Sequence, residues 1–192
     1  MAFVVIVIGG LLIGAGDQYL GTVHAMNAVG LWTESVSLLS APWLILPFLV
    51  GSTQRRPRRA AVAGLVVILS ALAGYFAMTL SPMEGVHFSP MGLQALIGTN
   101  QLNEIGGLVC GPLFGWLGYR WHACRSWLAA ALVTGALCLE PLAVIVAGRN
   151  VGRSGFVWAF EIVVGVAVGA WFLVSVRRHD GLDGRIPNGT LR

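Results

Sequence analysis

Long apolar runs and short polar stretches alternate along the 192-residue chain. A helix needs about 20 predominantly apolar residues to cross the hydrocarbon core of a bilayer. Six runs approach that length, at about residues 2–20, 36–51, 60–80, 105–119, 127–147 and 155–176. We therefore predict an all-α polytopic membrane bundle of about six transmembrane helices over residues 1–176. A mobile polar cytoplasmic tail is expected over residues 177–192.

The first apolar run and the short apolar segment 91–97 need separate interpretation. The first run begins at Ala2 with no basic residues before it and no clear cleavage site after it. We therefore expect a retained helix rather than a removed signal peptide. Residues 91–97 are too few for a span, and they fit either a re-entrant or interfacial helix or the start of the fourth span.

The composition favours a lipid-facing surface. Charged residues make up 10% of the chain and the mean hydropathy is +0.78, whereas soluble domains carry about a quarter charged residues. The six runs and their loops use up the length, so no separate soluble domain is expected. The predicted partner of the protein surface is the lipid bilayer.

Basic residues set the expected orientation. All twelve are Arg, and they cluster between the apolar runs. With the N-terminus inside, ten face the cytoplasm: Arg55, Arg56, Arg58, Arg59, Arg120, Arg125, Arg177, Arg178, Arg185 and Arg192. Only Arg149 and Arg153 face outward. This asymmetry predicts a multi-pass protein of the cell membrane with both termini cytoplasmic, and it argues against nucleic acid as a partner.

Most of the acidic residues fall in the outer half of this topology. Besides Asp180 and Asp183 in the tail, these are Asp17, Glu34, Glu84, Glu104, Glu140 and Glu161. A carboxylate at the centre of a membrane helix costs about 2.5 to 3.5 kcal/mol by insertion scales. Because packing does not require that cost, an acid at membrane depth indicates a functional site.

Glu140 and Glu161 are the strongest candidates for catalysis, with Asp17 as a third. Glu140 lies in an apolar run and precedes Pro141, which can open the helix. Burial favours its protonated form, which is a proton donor. The alternative role for Glu140 is structural, either a hydrogen bond to a freed backbone carbonyl or a pair with Arg149. Asp17 fits the bundle interior and the membrane interface equally well.

Two further acids have an alternative role at helix ends. Glu34 and Glu104 are predicted to lie in the first turn of a helix, where a carboxylate meets the helix dipole favourably. Thr33 and Asn103 fit as caps there. Both acids nevertheless stay candidates for substrate binding.

We expect neither a metal nor a cofactor. The outer-loop histidines, His24 and His87, have no partner at the spacing of a zinc motif. No aspartate-rich motif for diphosphate chemistry occurs, and no phosphate-binding loop or hydrolase motif is present.

Aromatic residues accompany the acids at the outer level: Tyr19, Trp32, Tyr75, Phe76, Phe88, Phe156, Trp158 and Phe160. Some belong to the interfacial belt, and the others can line a cavity in which ring faces stabilise a cation. As substrate-binding candidates we take Tyr19, Trp32, Tyr75, Trp158 and Phe160 together with Glu34 and Glu104. The remaining tryptophans are assigned to belts or lipid-facing runs: Trp43, Trp116, Trp121, Trp127 and Trp171.

Small residues recur at helical spacing in the first, fourth and sixth runs. The glycines involved are Gly9, Gly10, Gly14, Gly16, Gly106, Gly107, Gly111, Gly115, Gly118, Gly165 and Gly169. Such spacing predicts close approach between helix backbones and not a nucleotide site.

Three short stretches carry a resemblance. Ala41-Pro42-Trp43-Leu44, Ala71-Leu72-Ala73-Gly74-Tyr75-Phe76 and the glycine-rich segment 111–118 resemble a group of small actinobacterial integral membrane proteins. That group is similar to the membrane-bound terpene cyclases of drimentine-type pathways. The resemblance implies a six-span enzyme of secondary metabolism that cyclises the farnesyl chain of a prenylated indole diketopiperazine. None of the three stretches contains a catalytic motif, so no active-site residue follows from it.

The leading hypothesis is an integral membrane terpene cyclase acting on an isoprenoid chain of a lipid-soluble substrate. Glu140 is the preferred proton donor, and Glu161 or Asp17 orients it or takes the final proton. The alternative is a small-solute binding or transport protein, similar to the substrate-capture subunit of a vitamin importer. Those subunits carry an Ala-xxx-Ala motif on the first helix, where this chain has Gly. A structural partner of another membrane complex is a third possibility.

Overall fold

The computed structural model describes residues 2–25, 41–82, 89–146 and 155–183, and these ranges fold into α-helices, with short turns within two of the ranges at residues 53–56 and 125–126. The helices are α1 (Ala2–Ala25), α2 (Ala41–Ser52), α3 (Pro57–Thr79), α4 (Pro90–Cys124), α5 (Trp127–Val146) and α6 (Gly155–Asp183). No strand occurs within the described ranges, which confirms the all-helical class.

Three of the described helices are long and apolar enough to cross a membrane: Phe3–Thr22 in α1, Pro57–Thr79 in α3 and Val157–Ser175 in α6. Two shorter apolar helices accompany them, Ala41–Ser52 and Trp127–Leu142. Much of their surface is apolar and exposed, as a lipid-facing surface requires. The chain is therefore a helical membrane protein.

Helix α4 is one continuous helix of 35 residues. The Ser89 hydroxyl accepts a hydrogen bond from the Gly92 N–H at 3.0 Å, and Pro90 occupies the first turn, so the helix begins there. It ends at Arg125, whose left-handed backbone (φ 46°) terminates the helix. Segment 91–97 is thus the start of the fourth helix and not a re-entrant element.

The N-terminal limit of α4 corrects the expected role of Glu104. This residue lies in the middle of α4, so its carboxyl group cannot meet the first-turn dipole, and the cap is Ser89 rather than Asn103. The polar run around Glu104 had suggested a helix start. Helix α6 likewise extends to Asp183, past the predicted end of the six-helix domain at residue 176.

The helices pack as a four-helix group and a hairpin. Helix α3 packs extensively on α1 and α4, and α2 packs on α4 and α3. Helix α5 packs chiefly on α6, and this hairpin meets the other helices more sparsely, through α4 and α2. The seam between the two parts is where space can remain.

Glycine contacts bring the helices of the four-helix group together. A Cβ on Gly115 of α4 would collide with the backbone oxygen of Ala60 in α3, and one on Gly51 of α2 would collide with the oxygen of Gly115. Gly14 of α1 lies equally close to the backbone of Ala71. The small-residue prediction is confirmed at Gly14 and Gly115, whereas the contact at Gly51 was not predicted. Gly9, Gly16 and Gly106 have open space around the Cβ position, so they serve no such contact.

An aromatic cluster connects the hairpin to the four-helix group. The rings of Trp121 and Phe172 meet edge-on with centroids 4.3 Å apart, and Phe48 meets Phe172 at 5.9 Å. Trp121 is buried with only 3% of its surface exposed, so its assignment to a lipid-facing belt was wrong. Trp127 and Trp171 are exposed, as that assignment expects.

We predict that Gly115→Leu destabilises the protein strongly, because the new side chain must displace the α3 backbone. Overpacking usually costs about 1 to 3 kcal/mol, which corresponds to a fall in Tm of about 2 to 12 °C at this chain length. The measurement heats the detergent-solubilised protein to a series of temperatures and determines by size-exclusion chromatography how much folded protein remains. Gly106→Leu is the matched control on the same helix, and equal Tm values for the two variants would contradict the packing described here.

Candidate functional site

A cavity of about 260 Å³ lies at the seam between the hairpin and helices α1 and α2. Its wall is formed by Ile13, Ala41, Pro42, Ile45, Leu46, Leu49, Leu137, Phe160, Glu161 and Val164. Among these lining residues Glu161 has the only polar side chain. Both carboxyl oxygens of Glu161 are buried behind this wall, so the surface that meets a guest is apolar, with the acid directly beneath it.

Local sequence explains why Glu161 reaches the cavity close to α5. Gly165 follows one helical turn later, and a Cβ there would lie 2.7 Å from the sulfur of Cys138. The absent side chain lets α6 approach α5 closely. Glu140 lies two residues after Cys138 on α5, so the same approach brings the two glutamates together.

The carboxyl groups of Glu140 and Glu161 interact with each other. Glu161 has 4% of its surface exposed, and both of its carboxyl oxygens are buried from solvent. Two negative charges in contact in an apolar environment repel strongly, whereas a pair that shares a proton forms a hydrogen bond. The arrangement can therefore hold a proton beside an apolar cavity and release it to a guest.

Asp17 is placed next to the cavity and not in its wall. The indole N–H of Trp43, the only donor of that side chain, donates a hydrogen bond to the Asp17 carboxyl group. Asp17 lies one turn along α1 from the lining residue Ile13, and Trp43 follows the lining residue Pro42 on α2. The bond therefore joins α1 to α2 at the edge of the cavity.

Trp43 is a site-adjacent residue that the sequence analysis missed. It had been assigned to the belts and lipid-facing runs, but its side chain is half-buried and bonded to Asp17. A Trp within an apolar helix needs an acceptor for its N–H. This requirement predicts a polar partner for Trp43 but does not identify which one.

Of the predicted substrate-binding residues, Phe160 lines the cavity. Trp158 is buried on the same helix but lies outside the lining. Tyr19 is exposed, and Tyr75 packs edge-on against Phe76 at 5.8 Å on α3. Among the described residues, one aromatic ring and not several lines this cavity.

The remaining predicted site residues fall elsewhere. Glu104 on α4 is outside the lining, and its Oε1 is buried with no hydrogen-bond partner among the described residues. Trp32 and Glu34 lie outside the described residues, as does Arg149, the alternative partner proposed for Glu140. Within the described ranges, no three His, Cys, Asp or Glu side chains group closely enough to hold a metal ion.

Comparison with known proteins identifies the family of the chain. No curated protein matches it, and no solved structure matches it. A family profile, in contrast, covers nearly the whole chain, from residue 1 to residue 182 and so through every described helix except the last residue of α6. The chain therefore belongs to DUF6518, a family of unknown function.

Proposed function

We propose that the protein is an integral membrane terpene cyclase that starts cyclisation by protonating an isoprenoid chain held in the cavity. The observation that carries the proposal is the position of Glu161, whose side chain is the one polar group in the described cavity wall. Such a wall accepts a hydrocarbon chain, and the single acid lies directly behind it. No metal or cofactor takes part in the proposed reaction.

The proposed reaction is an isomerisation in which atoms and charge balance. The protonated Glu161 gives its proton to one carbon of a terminal alkene, leaving a carboxylate and a tertiary carbocation. A second alkene of the same chain attacks the cation and closes a ring. Loss of a proton from a carbon next to the new cation returns the acid to its starting state.

Glu140 and Phe160 take supporting roles in this scheme. Glu140 contacts Glu161, so it can stabilise the protonated acid by hydrogen bonding and later help to accept the returning proton. The sequence analysis preferred Glu140 as the proton donor. We now assign that role to Glu161, because Glu161 is the member of the pair that lines the cavity. The face of Phe160 can stabilise the cation.

The membrane arrangement that we propose is six spans of the plasma membrane with both termini cytoplasmic. A contact between α4 and α2 places two Arg clusters at the same end of the bundle. Gly118 of α4 contacts the backbone of Phe48 and Ser52 in α2. The exposed Arg pairs after α2 and the arginines at the end of α4 therefore lie at the same end of the bundle, as positive-inside orientation requires.

A second candidate function is binding or transport of an apolar solute. One observation favours it: Phe160 is the single aromatic ring in the described wall, where cation chemistry profits from several. In this reading the Glu140–Glu161 pair neutralises or orients a bound molecule and no bond changes.

We predict that Glu161→Gln lowers cyclisation about 100-fold or more, the usual contribution of a general acid. Membranes from an expressing strain are supplied with farnesylated indole and quinone substrates. Mass spectrometry then looks for a product of unchanged mass and shifted retention. Glu161→Asp keeps the acid and should retain a measurable part of the activity, which separates proton donation from packing.

Two outcomes would contradict the proposed cyclase. Full activity in both Glu140→Gln and Glu161→Gln would overturn the catalytic role of the pair. No isomer across a broad isoprenoid panel, from wild-type protein that is folded by size-exclusion chromatography, would favour solute binding instead.

We also predict the outcome of reporter fusions. Alkaline phosphatase, which is active only outside the cytoplasm, should be active when fused after Asn150 and inactive when fused after Arg192. A cytoplasmic fluorescent reporter at the same two positions should give the opposite pattern. Phosphatase activity at the C-terminus would contradict an even number of spans with the N-terminus inside.

A further inference from the structure

Two residues of the cavity wall are also part of the outer surface. Leu49 of α2 has 54% of its surface exposed and Phe160 of α6 has 66% exposed, while the other lining residues are buried or half-buried. The cavity is therefore open to the outside between α2 and α6. The rings of Phe48 and Phe172 join these two helices, but their backbones are otherwise not closely packed, which leaves space between them elsewhere.

The opening faces hydrocarbon rather than water. Phe160 lies within the membrane-crossing segment Val157–Ser175, and Leu49 lies within the apolar helix Ala41–Ser52. Both side chains at the rim are apolar. A polar solute approaching from the aqueous phase would meet neither a charged nor a hydrogen-bonding group there.

The size of the cavity limits what can enter. Its volume of about 260 Å³ is just below the roughly 300 Å³ at which pockets for drug-sized ligands begin. This volume favours a linear chain inserted end-first over a whole prenylated ring system. Any bulky head group then stays outside, among the lipids.

We propose that the gap between Leu49 and Phe160 is a lateral portal through which the prenyl chain of a membrane-dissolved substrate enters the cavity and reaches Glu161. This inference rests on the membrane enzyme proposed above and names its substrate by physical state and shape. An unsaturated chain is specified rather than a saturated acyl chain, because an alkene gives the Glu161 proton an acceptor and a saturated chain does not.

Photolabelling of the full chain in liposomes tests the portal without requiring turnover. The probe is a farnesol that carries a diazirine near its terminal alkene, and adducts are mapped by mass spectrometry after illumination. We expect saturable adducts on Leu46, Leu137 and Val164, competed by unlabelled farnesol and much less by hexadecanol. Equal competition by hexadecanol would overturn the assignment to a prenyl chain.

Variants at the rim test the route. Leu49→Trp should lower labelling inside the cavity at least about tenfold, the scale on which a filled hydrophobic pocket rejects a ligand. The matched control is Val62→Trp, which adds the same ring at an exposed position of α3 outside the cavity and should label as wild type. Unchanged labelling of Leu49→Trp would overturn the portal.

A widening variant covers the case in which Leu49→Trp fails to fold. Phe160→Ala should admit a bulkier geranylgeraniol probe more readily than the wild type does, and unchanged selectivity would overturn the portal.

Labelling and catalysis together distinguish the portal from the cyclase. Cavity adducts without an isomeric product would support the portal and contradict the cyclase. An isomeric product together with labelling that Leu49→Trp does not change would support the cyclase and contradict the portal.

Discussion

Close contact between helix backbones is the constraint on which the structure depends. Lipid surrounds an apolar helix as favourably as another helix does, so association in the membrane relies on tight packing of small residues. Gly115 supplies it between α4 and α3, and Gly14 supplies it between α1 and α3. The four-helix group is thereby close-packed, and the α5–α6 hairpin is joined to it mainly by the rings of Trp121, Phe172 and Phe48.

The cavity follows from this unequal packing. Where glycines let backbones touch there is no space, whereas the sparse seam beside α5 and α6 leaves room for a guest. The same hairpin is closed by Gly165, which brings Glu161 toward Glu140. One part of the sequence therefore both creates an acid pair in hydrocarbon and leaves an apolar space beside it. A cost of several kcal/mol for two membrane-depth acids is understandable if that space has a chemical use.

The all-helical class and the approximate positions of the helices were predictable because they depend on hydropathy along one segment. Depth in an apolar run singled out Glu140 and Glu161, of which the structure places Glu161 in the cavity wall, and small-residue spacing identified Gly115. The bond between Asp17 and Trp43 was not predictable in the same way, since it joins two helices whose relative rotation no local pattern encodes. The position of Tyr75 outside the cavity wall likewise depends on how α3 is rotated relative to the other helices. Glu104 was misplaced because a polar run was taken for a helix boundary, although backbone hydrogen bonding continues through it.

The length of α4 gives that polar run a different meaning. Its 35 residues extend about 52 Å at 1.5 Å per residue, whereas the hydrocarbon core is about 30 Å thick. With Arg120 at the inner headgroups, Glu104 lies about 24 Å higher along the axis and Pro90 about 45 Å higher. In this proposed orientation the backbone of residues 100–103 lies about 26 to 30 Å above Arg120, at the outer boundary of the hydrocarbon core, and Glu104 lies just below that boundary. Residues 90–99 then extend past it, so the first part of α4 projects beyond the outer edge of the hydrocarbon core.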